Sequence, residues 1–257
     1  DALAADGVQF TNFHVTPLCS PTRASLLTGR SQHAVGMRAV SNFRTGFPNQ
    51  LGHISNHAAT VAEVLRSEGY ATFCVGKWHL APMEQCSAAG PFDQWPLARG
   101  FDRFYGFLEG ETDQFHPELV CDNHPIEPPA GPEDGYHVSE DLVDQLMRMI
   151  SDSKGVRPDR PFFAYVPFGA THAPHQAPRD YIDRYAGKFV LLYLGDTGLR
   201  RGLLTVINAI PLLKDTIKEL KFIELNDSDI TELLKKYKIR YSAISNVSKP
   251  KKNLIKI

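Results

Sequence analysis

The 257-residue sequence lacks a strong net charge, closely spaced cysteines and long hydrophobic runs. Its formal net charge of -1 gives no electrostatic reason to expect a nucleic-acid or membrane partner. No apolar run reaches the length of a membrane-spanning helix, and the first ten residues lack the pattern of a signal peptide. No C-x-x-C pair is present, which disfavours a zinc ribbon, and the four cysteines are Cys19, Cys74, Cys86 and Cys121.

The average charge hides a change of composition near residue 189. Residues 1–189 contain 15 Lys and Arg against 22 Asp and Glu, whereas residues 190–257 contain 13 against 7. All 10 histidines lie in the first part, while lysine and isoleucine are concentrated in the second. A charge asymmetry of this size indicates a boundary, and we therefore expect two units, 1–189 and 190–257.

Strand and helix signals alternate along the first unit. "GVQFTNFHV" and "ATFCVG" predict strands, and "PFFAYVPFG" predicts a continuous apolar strand. "SPTRASLLTG" predicts a helix with Ser20 as N-cap and Pro21 at its first position, and Thr60 to Glu63 form a T-x-x-E capping box. "VSEDLVDQLMRMISD" predicts a further helix from near Ser139, with apolar residues at 142, 143, 146, 147 and 150 on one face. The order indicates an α/β fold with a mostly parallel sheet, in which residues 81–135 form long loops.

Reactive side chains follow the strands at three places in this pattern. Cys19 and Arg23 lie at the start of the first helix. Lys77 and His79 follow "ATFCVG", and His172 and His175 follow "PFFAYVPFG". In open α/β sheets, ligands bind beyond the carboxyl ends of the strands, where these residues are expected. A helix N-terminus lowers the pKa of a thiol, and Arg23 lies one turn later on the same face. Each set alone also has a structural explanation: a buried cysteine, a polar cluster at a strand end, or solvated loop histidines.

Five motifs, in order along the first unit, resemble the sulfatase family. "CSPTR" matches the C-x-P-x-R core of that family and continues into "ASLLTGR". "GYATFCVGKWHL", "RGFDRFYGF" and "PFFAYVPFGATHAPH" resemble further family segments. The resemblance implies hydrolysis of sulfate monoesters by an alkaline-phosphatase-like α/β sandwich, truncated here at both ends.

The resemblance also implies roles for individual residues. Cys19 would be oxidised by a maturation enzyme to formylglycine, an aldehyde whose hydrate is the nucleophile and a metal ligand. Arg23 would hold that hydrate, Lys77 would bind sulfate and the hydrate, and His79 would assist breakdown of the hemiacetal. His172 would contact sulfate and protonate the leaving oxygen, and His175 would be a further substrate contact.

The family metal is calcium, and most of its ligands have no match in this sequence. An Asp-Asp pair is expected to precede Asp1, and a second pair, an Asp followed by Asn or His, is expected after residue 189. Asp196 lies in a segment, "VLLYLGDTG", that is similar to the family strand carrying this second pair. Thr197, however, stands where the family has an Asn or His. We therefore expect the chain by itself to hydrolyse sulfate esters poorly or not at all.

The second unit has a different pattern. A strand, "FVLLYLG", a turn, "DTGLRRG", a helix, "LLTVINAIPLLKDTIKEL", and a strand, "KFIEL", predict a βαβ unit, followed by a lysine-rich end expected to be a solvated tail. The unit is similar to the start of a nucleotide-sugar-binding domain of GT-B glycosyltransferases, with Arg200 or Arg201 near the donor phosphates. Alternatives to a sulfatase are a phosphonate or phosphate ester hydrolase of the same superfamily and a non-catalytic fragment fused to a glycosyltransferase piece.

Overall fold

The computed structural model of the chain describes residues 2–184, 220–223, 240–243 and 252–256. These residues belong to two compact units, Asp1–Ala177 and Pro178–Ile257. In the part of the chain that is described, no helix is both long and apolar enough to cross a membrane.

The first unit is built on a five-stranded sheet in the order β4-β3-β2-β1-β5. β1 is parallel to both of its neighbours, β2 and β5, whereas the β2–β3 and β3–β4 pairs are antiparallel. The sheet is therefore mixed, and β2, β1 and β5 form the parallel part that the sequence predicts. The strands are β1 (Ala71–Lys77), β2 (Arg103–Phe107), β3 (Leu119–Cys121), β4 (His124–Ile126) and β5 (Phe162–Tyr165).

Helices cover both faces of this sheet. Along β1, which is buried throughout, Phe73 and Val75 pack in one core with α4, while Cys74 belongs to the core on the opposite face, where α2 packs. Two cores on one sheet make a helix–sheet–helix sandwich. The helices of this unit are α1 (Ala2–Asp6), α2 (Cys19–Thr28), α3 (Val61–Ser67) and α4 (Val138–Val156).

Several local predictions are confirmed. Thr60 caps α3, its side chain accepting a hydrogen bond from the Glu63 N–H while the Glu63 carboxylate accepts one from the Thr60 N–H. Gly29 ends α2 in the left-handed conformation. α4 begins at Val138, one residue before the predicted Ser139, and is capped by the His137 side chain. The capping signals in this sequence are therefore local and reliable.

Two predictions are wrong. Residues 7–15 form no strand, and Val8, Phe10 and Phe13 are exposed, because alternation makes a strand only where a second strand is present to pair with it. Residues 81–135 are not only loops, since β2, β3 and β4 lie among them. β3 and β4 have three residues each, which is too short for a periodic signal.

The second unit contains α5 (Arg179–Asp183) and a three-stranded antiparallel sheet in the order β6-β8-β7. The predicted strand at 189–195, the predicted helix, and Asp196, Thr197, Arg200 and Arg201 lie outside the described residues. The predicted strand "KFIEL" corresponds to β6, which pairs antiparallel with β8 among the described residues, and the βαβ unit stays a prediction. That partner is the lysine-rich end itself, which therefore forms a strand instead of a solvated tail because isoleucine among the lysines favours extended pairing. The strands are β6 (Leu220–Ile223), β7 (Arg240–Ala243) and β8 (Lys252–Lys256).

Candidate active site

Cys19 is the first residue of α2. The N-cap is Leu18, in an extended conformation, so the helix starts before the predicted N-cap Ser20. Ser20 does not cap the helix because its buried Oγ accepts a hydrogen bond from the Ser41 N–H at 3.2 Å. The Cys19 side chain therefore lies beside the free N–H groups of the first helical turn, where the helix dipole favours negative charge.

His79 contacts Cys19 directly. The distance between Cys19 Sγ and His79 Nδ1 is 3.1 Å. His79 has a φ of 53°, in the left-handed region, and its N–H donates to the Leu108 carbonyl at 2.9 Å. This unusual backbone turns the imidazole back toward α2 directly after the end of β1. A non-glycine residue in that conformation is uncommon and is found at sites where geometry matters for function.

The imidazole of His79 is neutral over the whole physiological range. Burial is the largest cause of its lowered pKa, and the charges of Lys77 and Arg23 lower it further, to about 3. A neutral imidazole has one nitrogen lone pair free to accept a proton. His79 can therefore act as a base or as a hydrogen-bond acceptor next to Cys19.

Lys77 is the last residue of β1 and is buried, with 2 % of its surface exposed. Its ammonium group interacts electrostatically with the Cys19 side chain. Burial lowers the pKa of Lys77, and Arg23 lowers it too, whereas Cys19 and Glu111 raise it. A buried cation beside a nucleophile is well placed to stabilise negative charge that develops there, because little water screens it.

Arg23 completes the cationic group around Cys19. Its Nη1 donates to the Lys77 carbonyl oxygen at 2.8 Å and to the Tyr165 hydroxyl at 3.2 Å. Burial raises the pKa of Tyr165 to about 12, so this hydroxyl stays protonated. The Arg23 Nε–H is buried and has no partner among the described residues, which leaves a donor ready for a bound oxygen atom.

The loop after β5 lies beside the end of β1. The Lys77 N–H donates to the Pro167 carbonyl at 2.8 Å, and a Cβ at Gly76 would overlap the same carbonyl group. Gly76, at a φ of 129°, is therefore the residue that permits this close approach. The approach brings the histidine loop to the same edge of the sheet as Cys19.

The two predicted histidines of that loop are placed differently. The His172 charge lowers the pKa of His79, and His172 Nδ1 lies 3.5 Å from Glu111 Oε2, so His172 is near the Cys19 group. His175 Nδ1 donates to the Thr171 carbonyl at 3.1 Å, within its own loop. Both side chains are exposed, as a substrate contact needs to be. The structure thus brings Cys19 into contact with His79 and joins Arg23 to the backbone of Lys77. Lys77 and His172 act on this group through their charges.

Three further residues of the site had no sequence signal of their own. Asn42 Oδ1 lies 2.5 Å from His79 Nε2, on the side of the ring opposite Cys19. A Cβ added at Gly110 would lie 2.7 Å from His79 Cε1, so Gly110 leaves room for the ring. Tyr165 is the last residue of β5. Its position in the strand would indicate a place in the site only after the order of the strands in the sheet is known.

The described residues do not make up the implied calcium site by themselves. Calcium takes oxygen ligands, chiefly carboxylates, whereas Arg23, Lys77 and His79 offer nitrogen donors around Cys19. Among the described residues, no group of three or more His, Cys, Asp or Glu side chains is placed to hold a metal ion. Asp196, the possible ligand noted in the sequence, lies outside those residues.

The fold and the site together define an α/β protein with a buried cationic group around a helix-starting cysteine, at the carboxyl edge of parallel strands. A family model described as sulfatase matches residues 1–193. The chain therefore belongs to the sulfatase family.

Individual relatives agree with this assignment. An uncharacterised sulfatase of Schizosaccharomyces pombe is 32% identical over 208 residues, covering 74% of this chain and 36% of the relative. Arylsulfatase J of Mus musculus is 34% identical over 193 residues, covering 72% of this chain and 30% of the relative. The chain thus spans about a third of the length of these curated relatives.

A solved structure supports the fold. A protein from the glycosaminoglycan-metabolising locus of Bacteroides thetaiotaomicron aligns over 80% of this chain and 48% of its own length. The TM-score is 0.54 at 18% sequence identity. The α/β architecture is therefore that of sulfatase structures, as the resemblance implies.

Proposed function

We propose that this chain is part of the catalytic domain of a sulfuric ester hydrolase, which converts R-O-SO3⁻ and water to R-OH and sulfate. Cys19 would be the precursor of formylglycine, formed by a maturation enzyme that recognises Pro21 and Arg23. The observation that carries the proposal is the position of the Cys19 side chain, which lies 3.1 Å from His79 Nδ1 and interacts electrostatically with the buried Lys77. A thiol used only for packing needs neither neighbour.

Attack on sulfur is the first step of the proposed reaction. One hydroxyl oxygen of the formylglycine hydrate forms a bond to sulfur and releases its proton to solvent, and the bond between sulfur and the ester oxygen breaks. Lys77 would offer this oxygen its buried ammonium, and Arg23 its buried Nε–H, which has no partner among the described residues. Both offset negative charge on the transferring group, and preorganised donors of this kind contribute several kcal/mol, about 3 for a single well-placed one.

Protonation of the leaving oxygen falls to His172. Its side chain is 47% exposed and lies next to Glu111 at the open edge of the site, where the alcohol part of a substrate would leave. His175, on the same loop, is the candidate for a contact with that alcohol part. An exposed position is consistent with both roles, because the leaving group has to reach solvent.

Release of sulfate is the second step, and in this step His79 accepts a proton. The remaining hydroxyl of the sulfated hydrate gives its proton to His79 Nδ1, the carbonyl bond of the aldehyde forms again, and the carbon–oxygen bond to sulfate breaks. Addition of one water molecule to the aldehyde then restores the hydrate. The covalent intermediate divides one difficult hydrolysis into two easier reactions. The low pKa of His79 keeps Nδ1 free to accept the proton at neutral pH.

Hydrolysis of paired aryl esters tests this function. The chain is produced together with a formylglycine-generating enzyme, and the release of 4-nitrophenol is measured from its sulfate and from the corresponding phosphonate ester. We expect slow hydrolysis of the sulfate that Cys19→Ala abolishes and that Cys121→Ala, which removes a partly buried thiol of β3, leaves unchanged. A higher rate on the phosphonate would favour the superfamily alternative, and equal rates for wild type and Cys19→Ala would contradict the proposal.

A further inference from the structure

The Asn42 side chain lies between two groups of opposite hydrogen-bonding character. Its Oδ1 is 2.5 Å from His79 Nε2. Burial raises the pKa of the Glu109 carboxyl group, and the nearby Asn42 amide lowers it, so the amide lies beside that group. The amide nitrogen is in addition 3.9 Å from Met83 Sδ, a weak acceptor. Asn42 therefore has acceptors next to its NH2 group and the histidine ring next to its oxygen.

Donor and acceptor chemistry fixes which His79 nitrogen carries the proton. An ionised carboxylate only accepts hydrogen bonds, so the NH2 group of Asn42 must be the end that faces Glu109. The oxygen of Asn42 then faces His79 and can only accept, so Nε2 must carry the hydrogen. Since a neutral imidazole has a single N–H, Nδ1 is left with its lone pair 3.1 Å from Cys19 Sγ.

We propose that Asn42 is a positioning residue that holds His79 as the Nε2–H tautomer, with the Nδ1 lone pair directed at residue 19. The inference rests on the proposed function, because its consequence for catalysis is the proton transfer to Nδ1 during sulfate release. Without Asn42, the ring can also place its hydrogen on Nδ1 and donate it toward residue 19. That second tautomer cannot accept the proton at Nδ1 and is therefore inactive in this step.

Nitrogen-15 NMR of the full chain tests the tautomer without any reference to activity. Protein labelled with 15N-histidine is examined by long-range 1H–15N correlation at neutral pH, and His79 is assigned among the 10 histidines by its absence in His79→Gln. We expect a protonated Nε2 and an unprotonated Nδ1 in the wild type and in Asn42→Asp, which keeps the acceptor. In Asn42→Leu, which has the same shape and no acceptor, we expect a mixture of tautomers or the Nδ1–H form.

Two NMR results would overturn the inference. One is a wild-type His79 that carries its hydrogen on Nδ1, an outcome that needs no variant and no assumption about folding. The other is an Asn42→Leu spectrum identical to that of the wild type, with an unchanged thermal melt showing that the variant is folded. Either result would leave Asn42 with a structural role only.

Kinetics test the catalytic consequence separately. We expect Asn42→Leu to lower kcat for 4-nitrophenyl sulfate about ten- to hundredfold, a part of what a positioned proton-transfer group contributes, with KM nearly constant. Asn42→Asp keeps an acceptor for the Nε2–H but places a second carboxylate beside Glu109, so it should recover only part of kcat. If the wild type itself fails to hydrolyse the sulfate, the proposed function has failed while the NMR result still decides the tautomer. If Asn42→Leu keeps the wild-type kcat despite a changed tautomer, the catalytic consequence is wrong.

Discussion

Arg23 donates a 2.8 Å hydrogen bond from Nη1 to the backbone carbonyl of Lys77. This bond joins α2, which starts at Cys19, to the end of β1, which carries Lys77. The relative position of the thiol and the ammonium group is therefore set by one guanidinium, whose planar shape also reaches Tyr165. The consequence is that Arg23 has a structural role in the site besides any contact with substrate.

Replacing Arg23 by Lys should damage both stability and activity. A lysine keeps the charge but cannot donate to the Lys77 carbonyl and the Tyr165 hydroxyl while also offering the unpaired N–H. We expect a loss of about 1 to 3 kcal/mol in the free energy of unfolding, measured by urea titration, and at least about a hundredfold lower hydrolysis. Tyr165→Phe removes only the 3.2 Å bond and should cost about 1 kcal/mol. Equal effects of the two variants would show that the bond to Lys77 is unimportant.

Replacing Gly110 by Ala should displace the His79 ring. The added Cβ would lie 2.7 Å from Cε1 and 3.0 Å from Nε2 of the imidazole. We expect a cost of about 1 to 3 kcal/mol in thermal or urea unfolding together with a lower rate of sulfate hydrolysis. Gly46→Ala is the matched control, since its added Cβ meets no atom within 4 Å. The explanation fails if both variants melt and react like the wild type.

The stability of the protein should fall as the pH is lowered from about 6.5 towards 3, in part because of His79. The folded protein holds the pKa of His79 at about 3, against 6.5 for a free histidine. Between these values the unfolded chain binds one proton more than the folded chain, so acid favours unfolding by up to about 1.4 kcal/mol per pH unit. His79→Gln should remove this part of the slope in urea titrations between pH 7 and 4, whereas exposed His57→Gln should keep it. The same slope in both variants would contradict a buried, neutral His79.

Asp141 should be the most sensitive carboxylate of α4. Its buried Oδ2 accepts hydrogen bonds from the hydroxyls of Tyr105 at 2.7 Å and Tyr136 at 2.9 Å. In Asp141→Asn the amide oxygen can accept from both hydroxyls only if the NH2 group faces the Gln145 Nε2 donor, which now donates to Oδ1 at 3.2 Å. Because one donor then loses its acceptor and the charge is gone, we expect a loss of about 1 to 3 kcal/mol in unfolding free energy. Asp144→Asn, on an exposed position of the same helix, should stay within about 0.5 kcal/mol. A small effect at Asp141 would mean that the two hydroxyls find other partners.

The sequence predicts those parts of the fold that depend on local signals. The capping box of Thr60 and Glu63, the buried strand "ATFCVG" and the helix after Cys19 each have their cause within a few residues, and the structure confirms them. The α4 pattern is only partly right: Leu142 is buried, but Val143 and Met147, expected on the same apolar face, are exposed. Periodicity identifies a helix more reliably than it identifies the exact face that a sheet covers.

The site is only partly predictable, for a physical reason. Cys19, Arg23, Lys77 and His79 belong to motifs that resemble a family, and the topology brings them together. Asn42 lies between α2 and α3, in a segment without periodicity, and only the tertiary fold places it 2.5 Å from His79. A contact between residues 37 positions apart in a loop has no local cause that a single sequence could reveal.

The central claim is that Cys19 is the precursor of formylglycine, and the most direct test is the mass of the tryptic peptide that ends at Arg23. The chain is purified after production with a formylglycine-generating enzyme, and the peptide is examined with and without an aldehyde-specific hydrazine reagent and a thiol-alkylating reagent. Our account predicts that a fraction of the peptide carries an aldehyde at position 19, reacts with the hydrazine and resists alkylation. A peptide that is entirely thiol, fully alkylated and unreactive towards hydrazine would contradict it.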